Sequence, residues 1–249
     1  EVPLIDNYIK QLNVNKLDLS VDFGWFYFLT KPLFYALNFL STKFQNFGIG
    51  IIILTIFIRI ILFPLANKSF KSMNSMRILT PEIQRVRERY KDDKQKMNQE
   101  MFALYREKKI NPAAGCLPIL IQIPIFFALY KVLFVSIEMR HAPFFGWIKD
   151  LSAPDPTSLF NLFGLIPWDP PLFLTIGIWP LLMGLTMYLQ QKINPPPPDP
   201  IQAKIFMMLP FIFTFLLATF PSGMVVYWTV NNVLSIGQQY ILLKKQKKE

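Results

Sequence analysis

The 249 residues are 52% hydrophobic, include 24 Phe and carry a formal charge of +10, which excludes an ordinary soluble domain and points to membrane spans. A single cysteine, Cys116, excludes an internal disulfide and a cysteine metal site, and a single histidine, His141, removes most metal and triad chemistry. The chain opens at Glu1 with neither Met nor a signal-like start, so it is expected to be a piece of something longer.

Residues 1–22 are mixed and polar and read as a linker from a missing upstream region. Residues 23–46 are aromatic-rich but interrupted by Lys31 and Pro32, so their apolar runs are too short to span. Trp25, Tyr27 and Tyr35 suit the headgroup region, which predicts an outer interfacial helix, with an additional span as the alternative. The first span is predicted over 47–66, with Arg59 as its only charge and Pro64 marking its end. Residues 67–114 are basic and read as a helical hairpin turning near Asp92 and Asp93. A second span follows over 115–137, containing Pro118, Gln122, Pro124 and Lys131, and then an aromatic, proline-rich outer loop over 138–171. The third, fourth and fifth spans are predicted over 172–191, 205–220 and 224–243. Between them lie a loop at 192–204 stiffened by the run NPPPPDP and a tight turn at 221–223, and a basic tail at 244–249 closes the chain.

Charge sets the orientation. Twelve Lys/Arg lie between residues 66 and 111, and Lys244, Lys245, Lys247 and Lys248 follow the last span. The connectors at 138–171 and 221–223 hold only Arg140 and Lys149. Five spans with the hairpin and the C-terminus in the cytoplasm satisfy the positive-inside rule at every connector. Contact of the basic hairpin with ribosomal RNA is an alternative use of its charge.

Arg59 is the leading functional candidate, because an ionisable residue inside a span is costly. Snorkelling to the headgroups is the bland account. However, side chains tilt toward a helix's N-terminus; this span enters from outside, so Arg59 leans toward the bilayer centre. It is expected to face water or polar groups inside the bundle. Thr55 shares its helix face one turn earlier. In the last span Tyr227, Asn231, Ser235 and Gln238 recur on one face, with Trp228 alongside, and Gln122 lies at a similar depth. Together these define a candidate hydrated cavity; the alternative is a set of interhelical hydrogen bonds that hold the bundle. Lys131 falls on the opposite face from Gln122 and is expected to snorkel or pair outside. Met73, Met76, Met97 and Met101 either pack the hairpin helices together or offer an adaptable surface to apolar guests.

The run IIILTIFIRIILFPL, followed by SMNSMRILTPEIQRVRERYKDDKQKMNQEMFALYREKKINPAAGCLPILIQIPIFFALY, resembles the core of the bacterial YidC family of membrane protein insertases, which has mitochondrial and chloroplast relatives. The later pieces MGLTMYLQQK, DPIQAKIFMMLPFIFT and FPSGMVVYWTVNN extend the resemblance over about residues 23–243. It implies an all-α polytopic membrane protein with five transmembrane helices around a hydrophilic groove, open to the cytoplasm and to lipid. The groove residues it implies are Arg59, Thr55, Gln122, Tyr227 and Asn231, to which the polar stripe adds Trp228 and Ser235. Ile123, Phe126 and Leu216 are implied as a hydrophobic path for an incoming helix. Lys131 and the lengthened stretch 157–171 depart from the family pattern, and neither touches the groove motif.

The implied activity is insertion of hydrophobic segments of nascent proteins into the bacterial inner membrane, alone or with the Sec translocon and the ribosome. No catalytic residue, metal, cofactor or small-molecule substrate is expected, and no P-loop is present. A transporter would be expected to carry internal repeats, and an intramembrane protease a nucleophile or metal set at membrane depth; neither is found in the sequence.

Overall fold

The structure, a computed structural model, describes residues 11, 22–111, 117–171, 174–194 and 200–246. The described residues form α-helices joined by turns and short 3₁₀ segments: α1 (Tyr27–Phe44), α2 (Phe47–Arg89), α3 (Lys94–Glu107), α4 (Leu117–Val135), α5 (Ile178–Ile193), α6 (Pro200–Leu217) and α7 (Ser222–Gln246). Most of the linker expected at 1–22 and most of the NPPPPDP connector lie outside the described residues.

Helix α1 buries Thr30, Phe34, Leu37 and Ser41, one stripe at helical spacing. Phe28 and Phe39 are exposed on other sides of the helix, and Tyr27 is exposed at its start. It ends at Gln45, which adopts a left-handed conformation (φ 52°), and Asn46 then caps α2 by accepting from the Ile49 amide at 3.1 Å. The chain therefore reverses within two residues, and α1 packs along the first half of α2.

Helix α2 carries the expected first span straight into the hairpin: it is 43 residues long in all, with Pro64 and Pro81 inside it, about 65 Å at 1.5 Å per residue. Proline removes one intrahelical hydrogen bond, a loss that tertiary contacts can offset. Here α2 is fastened to α7 on both sides of Pro64, by Arg59 before it and by Asn67 after it. The far half of α2 is one arm of the hairpin. Its return arm is α3, capped by Asp93, whose carboxylate accepts from the Lys96 amide at 3.0 Å. Leu79, Ile83 and Tyr105 make the hairpin's own core, with Met76 and Met101 packed against it.

The helix within the expected third span begins later than residue 172. Residues 174–177 are not α-helical, and α5 begins at Ile178. The cause lies in the outer loop, where buried Asp155 accepts from the Trp179 amide at 2.9 Å and caps α5 from outside it. The other carboxylate oxygen accepts from the Thr157 amide and hydroxyl and from Trp147 Nε1. The Thr157 hydroxyl accepts in turn from the Ile178 amide at 3.0 Å. A side chain at Gly177 would collide with Asp155, so the close approach requires glycine. At their other boundaries, α5 runs to Ile193, α6 starts at Pro200 and α7 runs to Gln246, so helix extends into the loop expected at 192–204 and into the tail expected at 244–249.

The main core draws on α1, α2, α4, α7 and the loop after α4. Phe34, Leu37, Ile51, Leu54, Leu129 and Val132 meet Met139, Ile148, Leu151, Met224 and Tyr227. Helix α5 packs on both α6 and α7, and at Gly184 it comes close to the Thr214 side chain of α6. By length and composition Phe47–Arg89 is long and apolar enough to cross a membrane; Leu120–Val135 and Ile201–Leu217 are shorter apolar helices.

Candidate functional site

Helices α2 and α7 run side by side in the same direction and meet along a polar seam. Arg59 Nε donates to Asn231 Oδ1 at 2.8 Å. One of its terminal nitrogens donates to Ser235 Oγ at 2.5 Å and to the Asn231 carbonyl at 3.3 Å. Ser235 Oγ donates onward to that carbonyl at 2.7 Å, so the same hydroxyl accepts from Arg59 and gives its proton to the backbone. The geometry follows from spacing: Asn231 and Ser235 are one turn apart on α7 and present two acceptors to one guanidinium.

All of these acceptors are neutral. Among the described residues no carboxylate pairs with Arg59. Each hydrogen bond to a charged group contributes about 1.5–3 kcal/mol, which fixes the side chain's direction. It does not cancel the charge, so a positive potential remains at a half-buried position flanked by exposed Phe57, Ile60 and Ile61.

Two further pairs lengthen the seam. One turn toward the α7 N-terminus, Gln122 of α4 donates to the Tyr227 hydroxyl at 2.5 Å. Two turns toward its C-terminus, Gln238 Nε2 donates to Asn67 Oδ1 at 2.8 Å. Asn67 was not among the expected site residues. Its signal was its position eight residues after Arg59 on the same helix face, legible only if α2 is carried through Pro64.

The remaining expected residues fall elsewhere. Thr55 is buried one turn before Arg59, and its hydroxyl donates to the Ile51 carbonyl at 2.6 Å within its own helix. Trp228 leaves the seam and lies between α4 and α6, with ring centroids 4.9 Å from Phe126 and 5.7 Å from Phe213. Phe126 thereby joins the α7 stripe to the apolar surface, where Ile123 and Leu216 are exposed on the outside of α4 and α6. Lys131 is remote from the seam: its ammonium pairs with Asp22 at 2.6 Å. This contact holds the Asp22 carboxyl below its usual value, first through the hydrogen bond from Lys131 and then through that from the Gly24 amide. His141 meets Asp150 at 3.3 Å in the outer loop.

An all-helical bundle with apolar outer faces, a basic hairpin at one end and a charged residue on a seam between two helices has the build of a helical membrane protein. The chain belongs to the 60Kd inner membrane protein family, whose model matches residues 39–249, and it is accordingly a bacterial inner-membrane protein. A model of the YidC periplasmic domain matches residues 3–36. The membrane protein insertase YidC of Pelagibacter ubique is 61% identical over 244 residues, covering 98% of this chain and 44% of the relative. Those of Brucella suis and Rickettsia rickettsii are 56% and 57% identical, each over 98% of this chain and over 40% and 44% of their own lengths. The chain thus spans less than half the length of these curated relatives. A crystal structure of an active YidC insertase with its first transmembrane domain resolved superposes with a TM-score of 0.67 at 28% identity, over 94% of this chain and 50% of that one.

Proposed function

We propose that this chain is the membrane-embedded part of an insertase that moves hydrophobic segments of nascent proteins from the cytoplasm into the inner membrane. In this reading α2, α4, α5, α6 and α7 contribute five spans, α1 lies on the outer surface, and the α2–α3 hairpin and the C-terminus are cytoplasmic. The distribution of Lys and Arg supports that orientation, as does the periplasmic-domain match at residues 3–36.

The observation that carries the proposal is Arg59, oriented by Asn231 and Ser235 without a carboxylate to neutralise it. An acidic residue in the segment preceding a client helix costs roughly 2.5–3.5 kcal/mol at a bilayer centre. A hydrated groove along the seam lowers that cost, and attraction to the guanidinium offsets about 1–4 kcal/mol more, depending on the local dielectric. Gln122, Tyr227, Asn231, Ser235 and Thr55 line or brace this polar route. The client's apolar helix leaves into lipid past Ile123, Phe126 and Leu216, with Trp228 at the junction of the two surfaces. The partners are nascent membrane proteins and the bilayer, with the Sec translocon and the ribosome as further associates. No covalent step is required.

The test is insertion into vesicles reconstituted with the longer protein that contains this chain. Arg59→Ala is expected to slow clients with acidic translocated tails by about tenfold or more, and Arg59→Lys to restore most of the rate. Equal rates for Ala and wild type across several acidic tails would overturn the electrostatic role.

A further inference from the structure

The loop between α4 and α5 carries a cluster that the insertion route does not use. Residues 157–168 (TSLFNLFGLIPW) contain no Lys, Arg, Asp or Glu. Within them Leu162, Phe163, Leu165, Ile166 and Trp168 are exposed, Leu165 at 83%. Leu162 and Phe163 both occupy the left-handed region, with φ of 48° and 59°, and are followed by Gly164 at φ 96°. Two bulky residues in that region are strained, and the resulting turn holds apolar side chains outward.

The backbone of the loop is nevertheless satisfied from within. The Phe163 amide donates to the Ser158 carbonyl at 2.8 Å, Ile166 to Asn161 at 3.0 Å and Trp168 to Ile166 at 2.8 Å. The Gly164 amide donates to the Asn161 side chain at 3.0 Å. The base is tied to the stretch before α5, with the Leu159 amide donating to the Ile176 carbonyl at 2.9 Å and the Ser158 hydroxyl to the Leu174 carbonyl at 3.1 Å. Self-paired amides beneath outward apolar side chains are what a segment needs on leaving water for a medium without hydrogen-bond partners.

Length identifies that medium. Helix α5 has 16 residues, about 24 Å, against a hydrocarbon core of about 30 Å. Its exposed Leu182, Leu185 and Leu189 form an apolar strip, and the loop is tied just beyond the N-terminus of the helix, at the end of the bundle opposite the basic hairpin. A short helix is accommodated by what flanks it, and here residues 157–168 are uncharged, rich in apolar side chains and closed by a tryptophan, a residue favoured at the headgroup boundary, with exposed Asp169 following it.

We infer that residues 159–168 seat in the headgroup–acyl boundary of the outer leaflet and fix the depth of α5. The inference rests on the membrane-spanning reading above. It is tested on the same full-length protein with Cys116→Ala, spin-labelled through Phe163→Cys or Leu165→Cys and reconstituted in phosphatidylethanolamine–phosphatidylglycerol vesicles. Reference labels are placed at Phe57 on the exposed face of α2 and at Lys149 in the loop. Labels at 163 and 165 are expected to relax more with oxygen than with a water-soluble nickel chelate, by less than at position 57, and to reverse the ratio at 149. A ratio at 163 and 165 like that at 149, with position 57 still in lipid, would overturn the loop's role while leaving the spans intact. Shielding from both reagents would assign the loop to a protein partner and overturn it also. A water-like ratio at position 57 would overturn the spanning reading together with this one.

Discussion

The two halves of α7 are built on opposite rules. Its first two turns, Ser222–Tyr227, are wholly buried. There Gly223 packs against Met139, Ile51 and Leu151, and the Ser222 amide and hydroxyl both donate to the Ala153 carbonyl, at 2.8 and 2.6 Å. Its second half presents Asn231, Ser235 and Gln238 to α2, and Asn232 and Gln239 to Thr186 and Asn194 around α5. The first half is a plug, closed by apolar packing and fixed loop hydrogen bonds. The second is a seam, joined by side-chain amides and hydroxyls that can exchange partners with other polar groups. One helix thus carries a closed apolar end and a polar, hydrogen-bonded one.

Damage to the loop on which the plug is fastened through Ala153 is expected to cost the most stability. Asp155→Ala removes the acceptor of the Trp179 and Thr157 amides and of Trp147 Nε1, which should destabilise the fold by about 3 kcal/mol or more, read as thermal unfolding in detergent. Client preference in the surviving fraction should be unchanged; a shift in preference would mean that the two halves are not separable. Damage to the seam should do the reverse. Asn231→Leu takes away the Oδ1 that orients Arg59 and is expected to cost about 1.5–3 kcal/mol of that interaction. Insertion of acidic-tailed clients should fall more than that of neutral ones, in a side-by-side vesicle assay.

Smaller effects test the borders. Tyr227→Phe deletes the acceptor for Gln122 at the boundary between plug and seam and should cost about 1 kcal/mol, with a smaller loss of insertion than Asn231→Leu. The smallest change is expected at Lys131→Met, remote from both halves. The Asp22 carboxyl is held below its ordinary value by Lys131, so the contact stabilises the fold above the ordinary carboxylate range and is lost as pH falls through the lowered value. Any difference in melting temperature between wild type and Lys131→Met should therefore be present at neutral pH and disappear only in acid below the ordinary carboxylate range, as the pH falls through the lowered Asp22 value.

Much of this was legible in the sequence where one chain segment carries the whole signal. Arg59 stood out as a lone charge, and the i, i+4 spacing of Tyr227, Asn231 and Ser235 placed them on one face of α7 before any neighbour was known. The hairpin turn at Asp92 and Asp93, the separation of Lys131 from the site and the packing of Met76 and Met101 were readable for the same reason. The misses arose where a distant segment overrode a local signal. Pro64 gave no sign that one helix runs on into the hairpin, a continuity that contacts with α7 on both sides support. Residues 174–177 looked helical, yet Asp155 captures the Trp179 amide and sets the start of α5 at Ile178.

The sequence by itself determined the all-helical membrane class, the basic hairpin and the identity of the charged residue, because composition and period are local properties. Only the tertiary structure decided what Arg59 touches. It gave the guanidinium to Asn231 and Ser235, left the Thr55 hydroxyl on its own helix and turned Trp228 toward Phe126 and Phe213. The physical reason is that hydrogen-bond partners and ring contacts depend on how two helices are rotated about their axes. Packing across the whole bundle sets that rotation, and no single helix encodes it.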